Sequence, residues 1–402
     1  MSNPVSDRIA AMEESATLAM AQAARELSSK GVDVINMSVG EPDFTTPQYI
    51  KDAAKKALDE GYTFYTPVPG YPELKNAIAK KLKEQNNINC TPNNIVVSTG
   101  AKQSIANVIL SLINPGDEVI ILGPYWVSYS DIVKFAEGKP VVVSGKIEND
   151  FKPTAEEIAA AITPKTKAIM YSSPSNPAGA TFTKEELESI ADVVASKENL
   201  FVLADEIYEY INYGQGHFSM GSIEKVKDRV VTINGFSKGF AMTGWRVGYI
   251  CAPEWLAKAT NKIQGQTTSG TCSIAQRACI EALEDRSNLN AAIEEMGSAF
   301  LRRRDLIISL LNEIEGIKTN TPQGAFYVFP DVSHYFGKKT KDGKEIKNAA
   351  DLSLYLLNEA NVSSVQGDAF GAPSNIRISF ATSDEKIKEA VDRIKTKLSE
   401  LS

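Results

Sequence analysis

The chain has 402 residues, 43% of them hydrophobic and 23% charged, with a net charge of −7. That length suffices for two domains whose cores need no disulfide or structural metal. The negative balance argues against a nucleic-acid partner, and an anionic ligand must be held by local Arg or Lys against the global field. The four cysteines, Cys90, Cys251, Cys272 and Cys279, form no C-x-x-C pair and fit no zinc spacing. They read as buried or semi-buried thiols in a reducing cytosol, and no metal site is expected. His217 and His334 stand alone in the sequence and read as surface or core histidines. The stretch from Met1 to Ala11 carries Asp7 and Arg8 and no apolar leader. No window approaches the roughly 18 apolar residues of a membrane span, so a cytoplasmic protein with no membrane partner is expected.

In chain order, a helix is expected over residues 14–30, then a short extended piece over 34–39 that ends in Gly40-Glu41-Pro42-Asp43. From Pro47 onward the texture is α/β. Short apolar runs at 95–98, 118–122, 141–144, 168–172, 201–204, 230–233 and 247–251 read as buried strands. Helical patterns or loop signals lie between most of them, as in a sheet covered by helices. Residues 256–312 read as mainly helical, with an irregular break at 264–271 and a long helix around 291–311. Beyond Gly316, strands are expected at 325–329 and 376–380 and an amphipathic helix at 383–398. The lysine-rich segment 333–348, with its Asp342-Gly343 turn, reads as a solvated surface loop. The predicted fold is α/β: a large domain, 48–289, with a mixed, mostly parallel seven-stranded sheet flanked by helices, and a smaller α+β domain built from 1–47 and 290–402.

Four local features carry chemistry. The first expected strand runs into Ser98-Thr99-Gly100-Ala101-Lys102-Gln103, where small residues open a helix. Free backbone N–H groups and the positive end of the helix dipole suit a phosphate there. In Ser173-Pro174-Ser175-Asn176-Pro177-Ala178-Gly179, a Pro/Gly turn, Asn176 stands at a strand end, placed to donate to a ring oxygen or a substrate carboxylate. In Ala204-Asp205-Glu206-Ile207-Tyr208 an apolar strand delivers an acid to its carboxyl end, where α/β sheets bind ligands. A carboxylate beside a pyridine nitrogen keeps it protonated and the ring an electron sink. Finally, Ser237-Lys238 follows a strand in an apolar, small-residue setting, with Arg246 eight residues later. Ser237 and Arg246 suit a phosphate, and a desolvated lysine near positive charge favours the neutral amine that Schiff-base chemistry needs.

Together and in this order, Asn176-Pro-Ala-Gly, Asp205-Glu-Ile-Tyr and Ser237-Lys-Gly-Phe-Ala-Met-Thr-Gly-Trp-Arg246 resemble the class I aminotransferases of the fold-type I pyridoxal phosphate (PLP) enzymes. The resemblance spans nearly the whole chain and is greatest to the bacterial aspartate aminotransferase subgroup, through Ser15-Ala16-Thr17, Gly40-Glu41-Pro42-Asp43-Phe44 and Gly100-Ala101-Lys102-Gln103. It implies that Lys238 forms the Schiff base with PLP and moves the substrate proton, and that Asp205 pairs with the ring nitrogen. It further implies that Tyr208 and Asn176 bond the ring oxygen, that Trp126 stacks on the ring, and that Gly100, Ala101, Lys102, Ser237 and Arg246 cradle the phosphate. Tyr65 then reaches the phosphate of a neighbouring subunit in a homodimer with shared active sites. Arg377, with the Gly40 backbone, Asn176 and Trp126, holds the amino-acid or 2-oxo-acid substrate, and Lys102 holds its distal carboxylate. The implied reaction is aspartate to 2-oxoglutarate amino transfer. Aromatic or prephenate amino transfer is the alternative, and a β-lyase a more distant one.

Overall fold

The computed structural model describes all residues except 1–4, 11, 13, 14 and 215. Glu14, the expected start of the first long helix, lies outside the described residues, as do Met1 to Pro4 and Ala11; that helix runs Ala16–Ser29.

Seven strands form the main sheet, in the order Ile95–Ser98, Gly248–Cys251, Val230–Gly235, Phe201–Asp205, Thr166–Ser172, Glu118–Gly123 and Lys139–Ser144. The interior strands are buried at nearly every position, which is why they read as unbroken apolar runs. The last strand begins at Lys139, two residues ahead of the expected Val141. Lys and Pro are poor strand signals, but they are tolerated on this half-exposed edge. Gly248–Cys251 runs antiparallel to both neighbours, and the other neighbouring pairs are parallel. The carboxyl ends of Ile95–Ser98, Phe201–Asp205 and Val230–Gly235 and the amino end of Gly248–Cys251 therefore share one edge.

A second apolar core gathers Ile35 and Met37 from near the start of the chain with Phe300, Ile307, Phe326, Leu356, Ile378 and Val391 from its last third. It holds an antiparallel sheet in the order Val365–Gln366, Ile376–Ser379, Tyr327–Val328, and a parallel pair of Ile35–Asn36 with Val362–Ser363. The helix Arg286–Leu311 joins the cores: Leu289 is buried beneath the main sheet, and Met296, Phe300, Ile307 and Leu311 are buried in the second core.

The irregular break begins later than expected, because Glu254–Thr267 stays helical through Gln264. Gln264 is a buried tie: it accepts from Ser98 Oγ at 2.7 Å and donates to the Val68 and Val97 carbonyls at 2.7 and 2.8 Å. Segment 333–348 is mostly exposed yet anchored by buried Tyr335 and Ile346 and by paired backbone bonds between Lys339 and Ser402. One cysteine departs from expectation: Cys272 is exposed, whereas Cys251 and Cys279 are buried and Cys90 is half-buried. Among the described residues no helix is long and apolar enough to cross a membrane.

Candidate active site

A cavity of about 240 Å³ opens at the shared sheet edge and is closed from the other side by Gly40, Tyr327 and Arg377. Its lining contains four basic side chains, Lys102, Lys238, Arg246 and Arg377, and one acid, Asp205. The chain as a whole carries −7, so the cavity reverses the global charge locally, as an anion site must.

Asp205 ends its strand and is buried. Tyr129 Oη donates to its Oδ2 at 2.6 Å, and the Ile207 N–H donates to Oδ1 at 3.2 Å. Burial pushes its carboxyl up to about 6 despite these bonds and the nearby Lys238 ammonium. Lys238 sits in the turn after Val230–Gly235, where its Nζ donates to the Gly40 carbonyl at 2.5 Å. Burial first, then the positive Arg377 and Arg246, bring its amine down to about 8.

Two cationic ends flank this pair. At one, Gly100 precedes the helix Ala101–Leu112 with φ +82°, and a Cβ there would lie 2.3 Å from Arg246 Nη2. Only glycine lets the guanidinium close over the helix N-terminus. Arg246 Nη1 is steadied by the Thr243 carbonyl at 3.0 Å, and Ala101, Ser237 and Thr243 line the same end. At the other end Arg377, 1% exposed, lies between the rings of Tyr327 and Phe370, at 4.6 and 5.0 Å from their centres. Its Nη1 donates to Asn176 Oδ1 at 2.9 Å and its Nη2 to the Ser38 carbonyl at 2.6 Å, while its Nε has no partner among the described residues. Among the described residues no carboxylate pairs with Arg377. A buried guanidinium without a counter-ion is costly unless a ligand supplies one.

Tyr208 Oη bonds to Tyr327 Oη at 2.7 Å, and burial holds both phenols protonated. Lys102 Nζ lies 4.9 Å from the centre of the Trp126 ring, and burial followed by Arg246 lowers its ammonium from the usual value. The cavity thus brings together Gly40, Ala101, Lys102, Trp126, Asn176, Asp205, Tyr208, Ser237, Lys238, Arg246 and Arg377. Gly100 adjoins it through Arg246. Tyr65 does not join it: it is 99% exposed beside exposed Phe64.

Six lining residues carry no role in the sequence analysis: Thr17, Tyr129, Ser172, Ile207, Thr243 and Tyr327. Thr17, Ile207 and Thr243 stand in the strings Ser15-Ala16-Thr17, Asp205-Glu-Ile-Tyr208 and Ser237 to Arg246, which are the signal that marks them. Tyr129 and Tyr327 are flanked by apolar or small residues and read as ordinary core.

Residues 32–394 match the family model for aminotransferases of class I and II. The chain belongs to that family, and with it to the PLP-dependent transaminases. It is 46% identical over 392 residues to an aspartate/prephenate aminotransferase of Cereibacter sphaeroides, covering 97% of each chain. It is 44% identical to a bifunctional aspartate aminotransferase and glutamate/aspartate-prephenate aminotransferase of Petunia hybrida, over 98% of this chain and 82% of that one. Among solved structures it resembles the aspartate aminotransferase of Rhizobium meliloti, with a TM-score of 0.95 at 41% identity and full coverage of both chains. It also resembles that of Thermus thermophilus with maleate, with a TM-score of 0.93 at 40% identity, over 98% and 99% of the two chains.

The donor set fits the family's cofactor. PLP presents an aldehyde, a pyridine nitrogen and a phosphate. The cavity offers an amine at Lys238, a carboxylate at Asp205, and a cationic cup at Ala101, Ser237 and Arg246 whose floor at Gly100 has no room for a side chain.

Proposed function

We propose that this chain transfers the amino group of L-aspartate to 2-oxoglutarate, giving oxaloacetate and L-glutamate by a two-stage exchange. The observation that carries this reading is the buried, unmatched Arg377 guanidinium facing Lys238 across a cavity with a second cationic end. When bound, PLP supplies an aldehyde that takes up the amino group and a protonated ring that accepts the electrons of the Cα–H bond. Ala101, Lys102 and Gly100 backbone groups, Ser237 and Arg246 would hold its phosphate, Asp205 its ring nitrogen, Asn176 and Tyr208 its ring oxygen, and Trp126 its face.

Lys238, with an amine brought down to about 8, is partly neutral near physiological pH and moves the proton between the substrate Cα and the carbon that receives nitrogen. Asp205 keeps a proton at the ring nitrogen. Arg377 and Asn176, with the Gly40 backbone, grip the α-carboxylate and turn the Cα–H bond toward Lys238. Lys102, above Trp126 at the cavity mouth, is the cation for the distal carboxylate of aspartate or glutamate. The names of the relatives support prephenate as a second acceptor. Tyr65, exposed beside Phe64, reads as a contribution to the phosphate site of a second copy in a homodimer. The same reading divides the chain into a large domain, 48–289, and a small one, 1–47 with 290–402, supported by the apolar core that gathers residues from near both chain ends. Four free cysteines suit a cytoplasmic setting.

The purified protein with PLP should show a visible absorbance band that survives gel filtration and is lost in Lys238→Ala. Aspartate with 2-oxoglutarate should yield glutamate. A chain that takes up no PLP, or that releases ammonia and pyruvate instead of glutamate, refutes the proposal.

A further inference from the structure

Behind Asp205 lies a second buried polar cluster that the chemistry above does not use. Side chains alternate along a strand. Asp205 faces the cavity, and Glu206, whose N–H donates to the Ile233 carbonyl at 2.8 Å, faces away. Glu206 is 1% exposed. Its Oε2 accepts from Ser219 Oγ at 2.7 Å and lies 2.9 Å from His217 Nε2. The chain of contacts continues through Asn86, whose Nδ2 donates to Ser219 Oγ at 2.8 Å and to Glu209 Oε2 at 2.9 Å. Glu209 in turn pairs with the Lys81 ammonium, which also donates to Asn86 Oδ1 at 2.9 Å.

The charge count decides what His217 must be. Glu206 and Glu209 with Lys81 alone leave one unmatched negative charge in the interior, which is costly. An imidazolium at His217 makes two anions and two cations. The donor atoms of Glu206, Glu209 and His217 lie within 4.8 Å of one another, a spacing that suits a cation; Lys81 brings one positive charge to that group and protonated His217 the other. Glu206 Oε1 and both ring nitrogens of His217 lack a well-aligned hydrogen bond among the described residues. The short Nε2 contact is therefore skewed, and Coulomb attraction holds the pair.

We propose that His217 is kept as an imidazolium, and that the Glu206–His217 pair is a positioning device for Asp205. By neutralising Glu206, the pair lets its neighbour in the chain carry the negative charge that a pyridine nitrogen requires. The proposal rests on the reading of Asp205 given above. Burial favours the neutral imidazole, but Glu206 and Glu209 outweigh it and, against Lys81, hold His217 above its usual value. Burial also keeps Tyr171, Tyr210 and Tyr249 protonated around the cluster, and Cys251 is kept so by its hydrogen bond with Cys90 and by burial. On the cavity side, Tyr129, Tyr208 and Lys238 face Asp205. Glu206 is among the groups that raise its proton affinity.

The chain has 2 histidines, so imidazole NMR of the cofactor-free protein reads His217 directly, with His334→Gln assigning the other signal. His217 is expected to be doubly protonated at neutral pH; a neutral ring there overturns the proposal. The link to Asp205 is read from PLP affinity against pH, measured by direct binding. His217→Gln should move the acid limb of that profile upward by about one pH unit, roughly a tenfold loss on the limb. The double variant Glu206→Gln/His217→Gln, a neutral pair, should move it back. If His217→Gln does not fold, Glu206→Gln is read by NMR instead: it should neutralise His217, and a ring that stays doubly protonated in that variant overturns the proposal. A limb unmoved in His217→Gln, with PLP still bound, refutes the proposal and leaves Asp205 as the ring partner. A parent protein that binds no PLP would instead sink the reading of the whole site.

Discussion

Replacing Arg377 by Lys keeps the charge and removes the fork. Arginine has five N–H donors and lysine three. In this protein one Nη1 hydrogen serves Asn176 Oδ1 and one Nη2 hydrogen serves the Ser38 carbonyl. Three donors remain, the unpartnered Nε among them, and a carboxylate needs two for a bidentate pair. A lysine that satisfied Asn176 and Ser38 would have one donor left. The variant therefore loses one charge-assisted hydrogen bond, about 1.5–3 kcal/mol, or roughly 10- to 150-fold in kcat/KM. Arg377→Leu also strips the cation and should lose more, about 3–5 kcal/mol. The assay is steady-state kcat/KM for aspartate and for 2-oxoglutarate, beside PLP affinity and melting temperature. Both substrates should suffer, because both present a carboxylate to the same group, and PLP affinity should hold. Activity within threefold of the parent in Arg377→Lys, or an equal loss of PLP affinity, would refute the clamp.

Three further outcomes follow from the geometry. Asp205 is raised from 3.8 to about 6, so in the cofactor-free chain its ionised form costs stability above the folded value. Asp205→Asn should stabilise that chain by about 1–3 kcal/mol at pH 8, a gain that shrinks as pH falls toward 4, while weakening PLP binding; equal melting temperatures at pH 8 would contradict this. Lys102 is partly desolvated at the cavity mouth while its side chain still reaches solvent, so Lys102→Ala should raise KM for aspartate by roughly fivefold, about 1 kcal/mol, and leave alanine and phenylalanine nearly unchanged. Equal losses for all three would overturn its role with the distal carboxylate. Tyr65→Phe should weaken PLP binding about tenfold, the worth of one hydrogen bond to a charged group, with the sedimenting species remaining a dimer. A parent protein that sediments as a monomer with full PLP affinity would end the shared-site reading.

Most of the main sheet was legible because strands covered on both faces must be apolar throughout. Val230–Gly235 and Phe201–Asp205 announce themselves in this way. Lys139 and Pro140 do not, because only an edge accepts them. Lys238 and Asp205 were legible through local strings. Tyr129 was not, because its partner Asp205 is 76 residues away and nothing nearby marks a tyrosine that reaches under the sheet edge. The same holds for His217, which reads as an isolated histidine. Its surroundings come from Asn86 and Lys81, and Lys81 meets Glu209 across 128 residues. Gln264 shows the converse error: a polar residue taken as a sign of irregular chain is a buried fastening.

The reversed strand Gly248–Cys251 has a mechanical consequence. Because it runs back from the same edge at which Val230–Gly235 ends, the single connection 236–247 carries both Lys238 and Arg246. Ser98 and Gly100 reach that edge on the adjoining strand. The spacing between the Lys238 amine and the cationic Arg246 end is thus gauged by neighbouring strands of one stiff sheet. Arg377 instead rides on Ile376–Ser379 of the other core. A small rotation of one core against the other would open the grip on a departing keto acid while leaving the cofactor's anchorage at full strength. Arg377 and Lys238 thus hang on different sheets, bridged by the Arg377–Asn176 bond, so on the proposed roles substrate grip and cofactor hold can loosen independently.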